Sequence, residues 1–266
     1  MSFLNGIRAI DSPHNPIIRN LRRLDKPQAR REQNLFLAEG EKMTREAVAC
    51  SLARTVLVSR GLEERYALLL SQARAAGAEC LSVPEGIVAL LSSAKTPQGI
   101  LAAAELPRKA AALTGMRLLA LDGVQDPGNV GTMIRTADAA GMDGVLLGAG
   151  CADPYGPKAA RASMGSLFRM PLLSAADGEG TLAGTLEGLR AKGYAVVSSE
   201  LGGGDFFGAC PDPPLVLVIG SEGNGVSETV RILATHHLAL PMRGGAESLN
   251  AAVAAGIMMY EVCRRG

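Results

Sequence analysis

A chain of 266 residues with 47% hydrophobic and 20% charged positions can bury a substantial core, as one large domain or two modest ones, and global disorder is excluded. Tryptophan is absent and aromatic residues make up only 3%, so that core must be built from Ala, Val, Leu, Ile and Met. The net charge of +1 hides an asymmetry: residues 1–110 hold 16 Lys and Arg against 11 Asp and Glu, whereas residues 111–266 hold 11 against 15.

In chain order, Ser12–Pro16 is turn chemistry opening a helix through about Leu24, with Ile17, Leu21 and Leu24 on one stripe. The stretch from Arg8 to Arg31 carries seven basic residues and only Asp11 and Asp25 as acids, a candidate polyanion footprint. Strand Asn34–Gly40, helix Glu41–Ser51, strand Arg54–Ser59, helix Leu62–Ala76, strand Glu79–Val83, short helix Pro84–Leu91 and strand Gly99–Ala104 follow, making a compact α/β unit. Leu106–Gly115 reads as a linker.

The second unit opens with strand Arg117–Leu121, a turn over Asp122–Asn129, helix Val130–Ala140 and strand Gly144–Leu147. Tyr155–Phe168 is expected to be mainly helical and Arg169–Leu173 extended. Helix Leu182–Lys192 and strand Tyr194–Ser198 precede Leu215–Ile219, an apolar run typical of a strand covered on both faces. After a Gly220–Gly225 loop come helix Val226–Ala234 and a last strand, Leu238–Leu240. Ser248 stands where a helix N-cap is expected, and the helix it opens, Leu249–Tyr260, is apolar on nearly every face and so expected to be buried on all sides. Strands alternating with helices imply a parallel sheet, and ligands of such sheets bind at the C-terminal strand ends, where the loops Asp122–Asn129, Gly220–Gly225 and Pro241–Asn250 stand.

Five scattered cysteines and three histidines suggest neither a zinc site nor a disulfide framework, so no metal is expected. The N-terminus lacks a long apolar segment. Neither a signal peptide nor a membrane anchor is expected, and a reducing cytoplasm is the default. None of the glycine-bearing loops fits a dinucleotide fingerprint or a phosphate loop with its lysine.

Asp126–Asp138 (DPGNVGTMIRTAD), Val218–Ser227 (VIGSEGNGVS) and Leu240–Asn250 (LPMRGGAESLN), in that order, closely resemble the three signature motifs of the SpoU (TrmH) family of RNA ribose 2′-O-methyltransferases, in the SPOUT superfamily. Pro157–Phe168 is similar to a further family segment, and residues 12–51 look like the start of the RNA-binding domain, similar to a ribosomal protein, that many members carry. The resemblance implies a C-terminal parallel-sheet α/β domain with a trefoil knot over residues 108–266, a smaller N-terminal α/β RNA-binding domain over 1–107, S-adenosylmethionine as donor, and a homodimer through the knotted domain. It places Asn129, Arg135, Glu222, Ser248 and Asn250 in the active site. Ile219, Gly220, Leu240, Met242, Ser248 and Leu249 would hold the donor. Arg22, Arg23, Arg30 and Arg31 from the basic cluster, with Lys158 and Arg161, would meet RNA phosphates.

A guanidinium keeps its proton in proteins, so Arg135 is expected to act as a cation on the neighbouring phosphate and the developing oxyanion, not as a base. Glu222 would orient Arg135 through a charge-assisted pair, while Asn129, Ser248 and Asn250 fix the ribose and that arginine. His236 and His237 are expected to be unremarkable neighbours of the last strand. The activity implied is methylation of a ribose 2′-hydroxyl in cytoplasmic RNA, with 23S ribosomal RNA preferred. The alternatives are a transfer-RNA substrate, a ribosomal site whose methylation gives antibiotic resistance, and a non-catalytic RNA-binding assembly factor.

Overall fold

The protein is described from a computed structural model over residues 6–108, 113–175 and 180–265. Its contacts divide the chain into two units, Met1–Arg108 with Tyr155–Phe168, and Lys109–Pro154 with Arg169–Gly266. Residues 109–112 of the expected linker lie outside the described residues.

The first unit contains β1 (Ile7–Ala9), α1 (Pro16–Arg22), α2 (Pro27–Gln33), β2 (Leu35–Glu39), α3 (Gly40–Ala49), β3 (Ala53–Ser59), α4 (Ala67–Ala75), β4 (Glu79–Val83), α5 (Glu85–Leu91) and β5 (Ile100–Glu105). Its sheet runs β1-β4-β3-β5-β2, with β1, β4 and β3 parallel and β5 antiparallel to both its neighbours. Ile18, Leu21 and Leu24 pack with Leu57, Leu81, Ile87 and Leu91 in one buried cluster; Ile17, expected on this stripe, is only partly buried against it, and Ile18 takes the inward place. Helix α4 begins at Ala67, later than expected, and the short strand β1 was not anticipated.

Helix α2 was not anticipated either. A 3-10 turn over Arg23–Asp25 ends α1, Pro27 restarts a helix at a position where its missing N–H costs nothing, and Asn34 closes it in the left-handed conformation. Arg30 lies on the inner side of this helix, only 3% exposed, and its guanidinium donates to the carbonyls of Leu24 at 2.6 Å and Asp25 at 3.0 Å. Arg30 therefore ties α2 to the preceding turn instead of facing RNA phosphate; the linear charge count hid this because every third or fourth side chain of a helix points inward.

The second unit contains β6 (Arg117–Asp122), α6 (Pro127–Ala140) and β7 (Gly144–Leu147); after α7 (Pro157–Ser163), which belongs to the first unit, it continues with β8 (Leu172–Ser174), α8 (Leu182–Ala191), β9 (Ala195–Asp205), α9 (Phe206–Ala209), β10 (Leu215–Gly220), α10 (Glu228–Arg231), β11 (His236–Ala239) and α11 (Ala251–Arg264). The sheet is parallel throughout, in the order β11-β9-β10-β6-β7-β8. All six residues of β10 are buried, as expected of a strand covered on both faces. On one face Leu118, Val196, Val216 and Val218 pack with Leu182, Leu186 and Leu189 of α8. Helix α11 packs against α6 and β10, close enough that a Cβ on Gly256 would lie 3.4 Å from Thr136 Cγ2. β9 runs seven residues beyond the expected strand, and α10 is a single turn where a nine-residue helix was expected.

Helix α11 departs from its expected burial. Val253, Ile257 and Tyr260 are 51%, 40% and 56% exposed, because Ala252, Ala255, Met258 and Met259 take the inward positions and no other segment among the described residues covers the outer ones.

Residues 155–168 supply α7 to the first unit. The ring of Phe36 on β2 lies between those of Tyr155 and Phe168, with centroids 5.4 and 5.5 Å away. These contacts gather three of the chain's nine aromatic side chains, contributing about 0.5–1.5 kcal/mol per pair beyond area burial.

Candidate functional site

Parallel register sets the position of the loops. Gly220 at the end of β10 pairs with Asp122 at the end of β6, so the loops that follow them start side by side. Asp122 then accepts from the N–H of Ser227 at 2.7 Å, tying the second loop to the first strand. The turn Ser221–Gly225 closes on itself through two backbone hydrogen bonds, with Gly225 at φ 68°. A Cβ on Gly220 would fall 2.0 Å from the carbonyl carbon of Gly225, so only glycine lets this turn fold back over the strand end.

Three side chains from the three loops meet there. Helix α6 starts three residues earlier than expected, at Pro127, and Asp126 caps it by accepting from the Asn129 N–H at 2.9 Å. Asn129 is consequently not the cap, and its amide is free to reach outward: Nδ2 donates to Glu222 Oε1 at 2.7 Å, and Oδ1 accepts from Asn250 Nδ2 at 3.2 Å. Asn250 Oδ1 meanwhile accepts from the N–H groups of Ala252 and Val253, so Asn250 is the N-cap of α11. The expectation that Ser248 caps this helix is corrected. The chain enters α11 two residues later, and the amide of Asn250 caps the helix through its oxygen while it donates through its nitrogen to Asn129.

Burial works against the charge of Glu222. The Asn129 amide and the N–H groups of Glu222, Gln125 and Asp126 outweigh it, holding the carboxyl below its ordinary range. Glu222 thus orients Asn129, not Arg135. Six residues past Asn129, an α-helix has turned by about 600° and risen by about 9 Å, so Arg135 leaves α6 on a different face. There it is exposed, and its side chain has no hydrogen bond or ion pair among the described residues.

Beside the three side chains lies a cavity of about 730 Å³. Ile219, Gly220, Leu240, Met242, Ser248 and Leu249 all line it, as do Glu222 and Asn250, while Ala254 and Met258 of α11 supply apolar wall. Asn129 stands behind that lining, joined to it through Glu222 and Asn250. Cavities of this size suit a cofactor of nucleoside dimensions.

Glu200 and Arg231 also line the cavity, and no motif in the sequence pointed to them. Glu200 lies on the extension of β9 beyond its pairing with β10, past the sheet edge. Its Oε1 accepts from Ser198 Oγ at 2.7 Å and lies 2.8 Å from His237 Nδ1, while Arg231 approaches its other oxygen at 3.8 Å. Burial opposes its charge, but His237, Ser198 and Arg231 prevail and hold the carboxyl below its ordinary range. His237 is therefore not an unremarkable neighbour of the last strand: it buttresses an acid in the cavity wall. The readable signal was an acidic residue just past a β-strand in an α/β sheet.

Of the basic residues expected at RNA, Arg22, Arg23 and Arg31 are exposed in the first unit, and α7 brings Lys158 and Arg161 to the exposed surface of that same unit. Arg161 donates to Ser93 Oγ at 3.1 Å. Among the described residues no group of three His, Cys, Asp or Glu side chains could hold a metal ion, and no helix is long and apolar enough to cross a membrane.

Residues 116–260 match the model of the SpoU rRNA Methylase family, and residues 15–102 match that of the MRM3-like substrate binding domain. The chain is 34% identical to the 23S rRNA (guanosine(2553)-2'-O)-methyltransferase RlmP of Bacillus subtilis, over 96% of this chain and 99% of that one. Among solved structures, an AdoMet-bound rRNA methyltransferase from Sinorhizobium meliloti superposes with a TM-score of 0.84 at 31% identity, covering 98% of each chain. The SpoU methyltransferase AviRb from Streptomyces viridochromogenes, in complex with the cofactor AdoMet, does so at 0.83 and 30% identity over 94% of this chain and 98% of its own.

Proposed function

Because the chain belongs to the SpoU rRNA Methylase family, we propose that it is an S-adenosylmethionine-dependent methyltransferase acting on a ribose 2′-hydroxyl of RNA, with 23S ribosomal RNA as substrate in the cytoplasm. The observation that carries this reading is the meeting of Asn129, Glu222 and Asn250 at a cavity lined by all six residues expected to hold the donor.

The lining fits that cofactor. Backbone of Ile219–Gly225 and Leu240 offers hydrogen-bonding groups, Ala254 and Met258 offer apolar wall, and the Glu200 carboxylate is suited to nucleoside hydroxyls. When bound, S-adenosylmethionine supplies an electrophilic methyl group. The residues of this chain contribute position and charge. The hydrogen-bonded row Asn250–Asn129–Glu222 holds the amides of two loops at fixed orientation, which is the main requirement of an in-line displacement. Arg135, a cationic side chain with no partner among the described residues, holds the phosphate beside the reacting ribose and offsets charge developing on its 2′-oxygen. Ser248 closes the rim against the ribose.

The same reading includes a knotted C-terminal threading and a homodimer. The exposed row Val253, Ile257 and Tyr260 on α11 supports the dimer, since a second copy would cover it. Light scattering should give twice the chain mass for the protein and the single mass for Val253→Asp with Ile257→Asp.

The deciding experiment maps ribose methylation across total RNA with and without this protein, alongside calorimetry with S-adenosylmethionine. One 23S position gaining a 2′-O-methyl group is expected. Donor binding without any methylated position would point to a non-catalytic assembly factor, and a modified transfer-RNA position would move the substrate.

A further inference from the structure

We propose that a cleft of about 840 Å³ in the first unit, between α1 and the C-terminal end of α5, is a pocket for one unstacked nucleotide of single-stranded RNA. The proposal rests on the RNA reading above and gives that unit a base-recognition role separate from methyl transfer.

The rim is cationic. Arg19, Arg22, Arg23 and Lys26 line the cleft against two acids, Asp25 and Glu39. Glu39 is already engaged: one carboxylate accepts from Ser92 Oγ at 2.9 Å and from the Ser93 N–H at 3.0 Å, which closes the end of α5. Asp25 and Lys26 are 3.8 Å apart, and Arg23 makes a long 3.6 Å approach to Glu32, both pairs lying in solvent where they hold little. Arg19 and Arg22, three residues apart on the same helix, are exposed, and their side chains have no hydrogen bond or ion pair among the described residues. Two unpartnered guanidiniums at the mouth of a concavity match a phosphate on each side of one nucleoside.

The floor is apolar. Leu37 and Leu91 form its base, and Leu90 stands 37% exposed beside the cations. The amide of Asn20 lies on the edge and can both donate and accept, as a base edge requires. The volume falls within the range of pockets that enclose a small ligand, roughly 300–1,000 Å³, and exceeds what a lone anion needs. A duplex would present only its phosphate ridge to this concavity and leave Leu90 unused. An unstacked base in a loop or single strand would lie on the leucine, against an arginine plane, as sequence-reading RNA sites arrange it. Together, unpaired arginines on the rim and a partly exposed leucine beside them assign the cleft to a nucleotide, not to a backbone alone.

The test uses the full chain and fluorescent five-nucleotide oligouridylate, intact or with its central base removed, followed by anisotropy at several salt concentrations. The intact oligomer should bind about tenfold more tightly than the abasic one, roughly what one stacked base contributes. Leu90→Ser, a neutral change at an exposed site, should erase that difference without altering the salt dependence. Arg19→Gln with Arg22→Gln should weaken both oligomers and reduce the salt slope by about one for each arginine removed. If the wild-type protein binds both oligomers alike, or Leu90→Ser leaves the difference intact, the cleft is only an electrostatic surface and the proposal is overturned. Cofactor calorimetry and methyl transfer on the same preparations keep the two readings apart: base-dependent binding without either would sink the enzyme reading alone, and transfer without base dependence would sink the pocket alone.

Discussion

Asn129 Nδ2 lies 2.7 Å from Glu222 Oε1, a hydrogen bond that joins the first turn of α6 to a loop 93 residues further along the chain. It places an ionised acceptor against an amide that must keep one orientation to serve Asn250 on its other side. Asn129→Asp would set a second carboxylate against Glu222, and two such groups cannot both stay ionised without cost. Single-turnover methyl transfer should fall at least tenfold at neutral pH and recover partly as pH drops and the pair takes up a proton. The wild-type sign is opposite. The Glu222 carboxyl is held below its ordinary range, so its contribution is complete above that range and fades as pH falls through its lowered folded value. Equal rates for the two proteins across pH would remove Glu222 and Asn129 from the site.

Asn250 and Ser248 separate by their effects on stability. Asn250 caps α11, so Asn250→Ala should cost about 1 kcal/mol and lower the melting temperature by about 2–4 °C, as well as releasing Asn129. Ser248→Ala should leave melting unchanged and act only on transfer. Equal melting shifts for the two variants would contradict the capping assignment.

Arg135→Ala should reduce methyl transfer by about 10²–10³, the scale of one lost oxyanion donor, with calorimetric donor affinity unchanged, because Arg135 does not line the cavity. Arg135→Lys restores the charge without the fork and should recover only part of the loss. Full activity in the alanine variant would dispose of the role given to this cation.

Glu200→Gln should weaken S-adenosylmethionine binding about tenfold, or about 1.4 kcal/mol, with the single-turnover rate at saturating donor preserved. Since the Glu200 carboxyl is held below its ordinary range, wild-type affinity should be flat through neutrality and decline only in acid, while the glutamine variant lacks that decline. A variant that binds the donor as tightly as the wild type would leave Glu200 a structural partner of His237 and Arg231 alone.

Apolar runs such as Leu215–Ile219 and Arg117–Leu121, punctuated by Gly141 and Gly193, were sufficient by themselves to specify a parallel α/β unit, because burial on both faces leaves a strand no other composition. The three loops were legible as ligand-binding for the same reason: chain direction in a parallel sheet puts every βα turn at one edge. Tertiary structure alone decided which side chains of those loops touch. Capping by Asp126 freed Asn129, capping by Asn250 displaced Ser248, and the row they form with Glu222 left Arg135 on another face. It likewise turned Arg30 inward while leaving Arg19 and Arg22 bare around an exposed leucine, and placed Glu200 and His237 together across 37 residues. Periodicity reports which way a side chain faces within its own element. Hydrogen-bond partners and the shape of a cavity depend on distances between elements remote in the chain, and those are set only when the core packs.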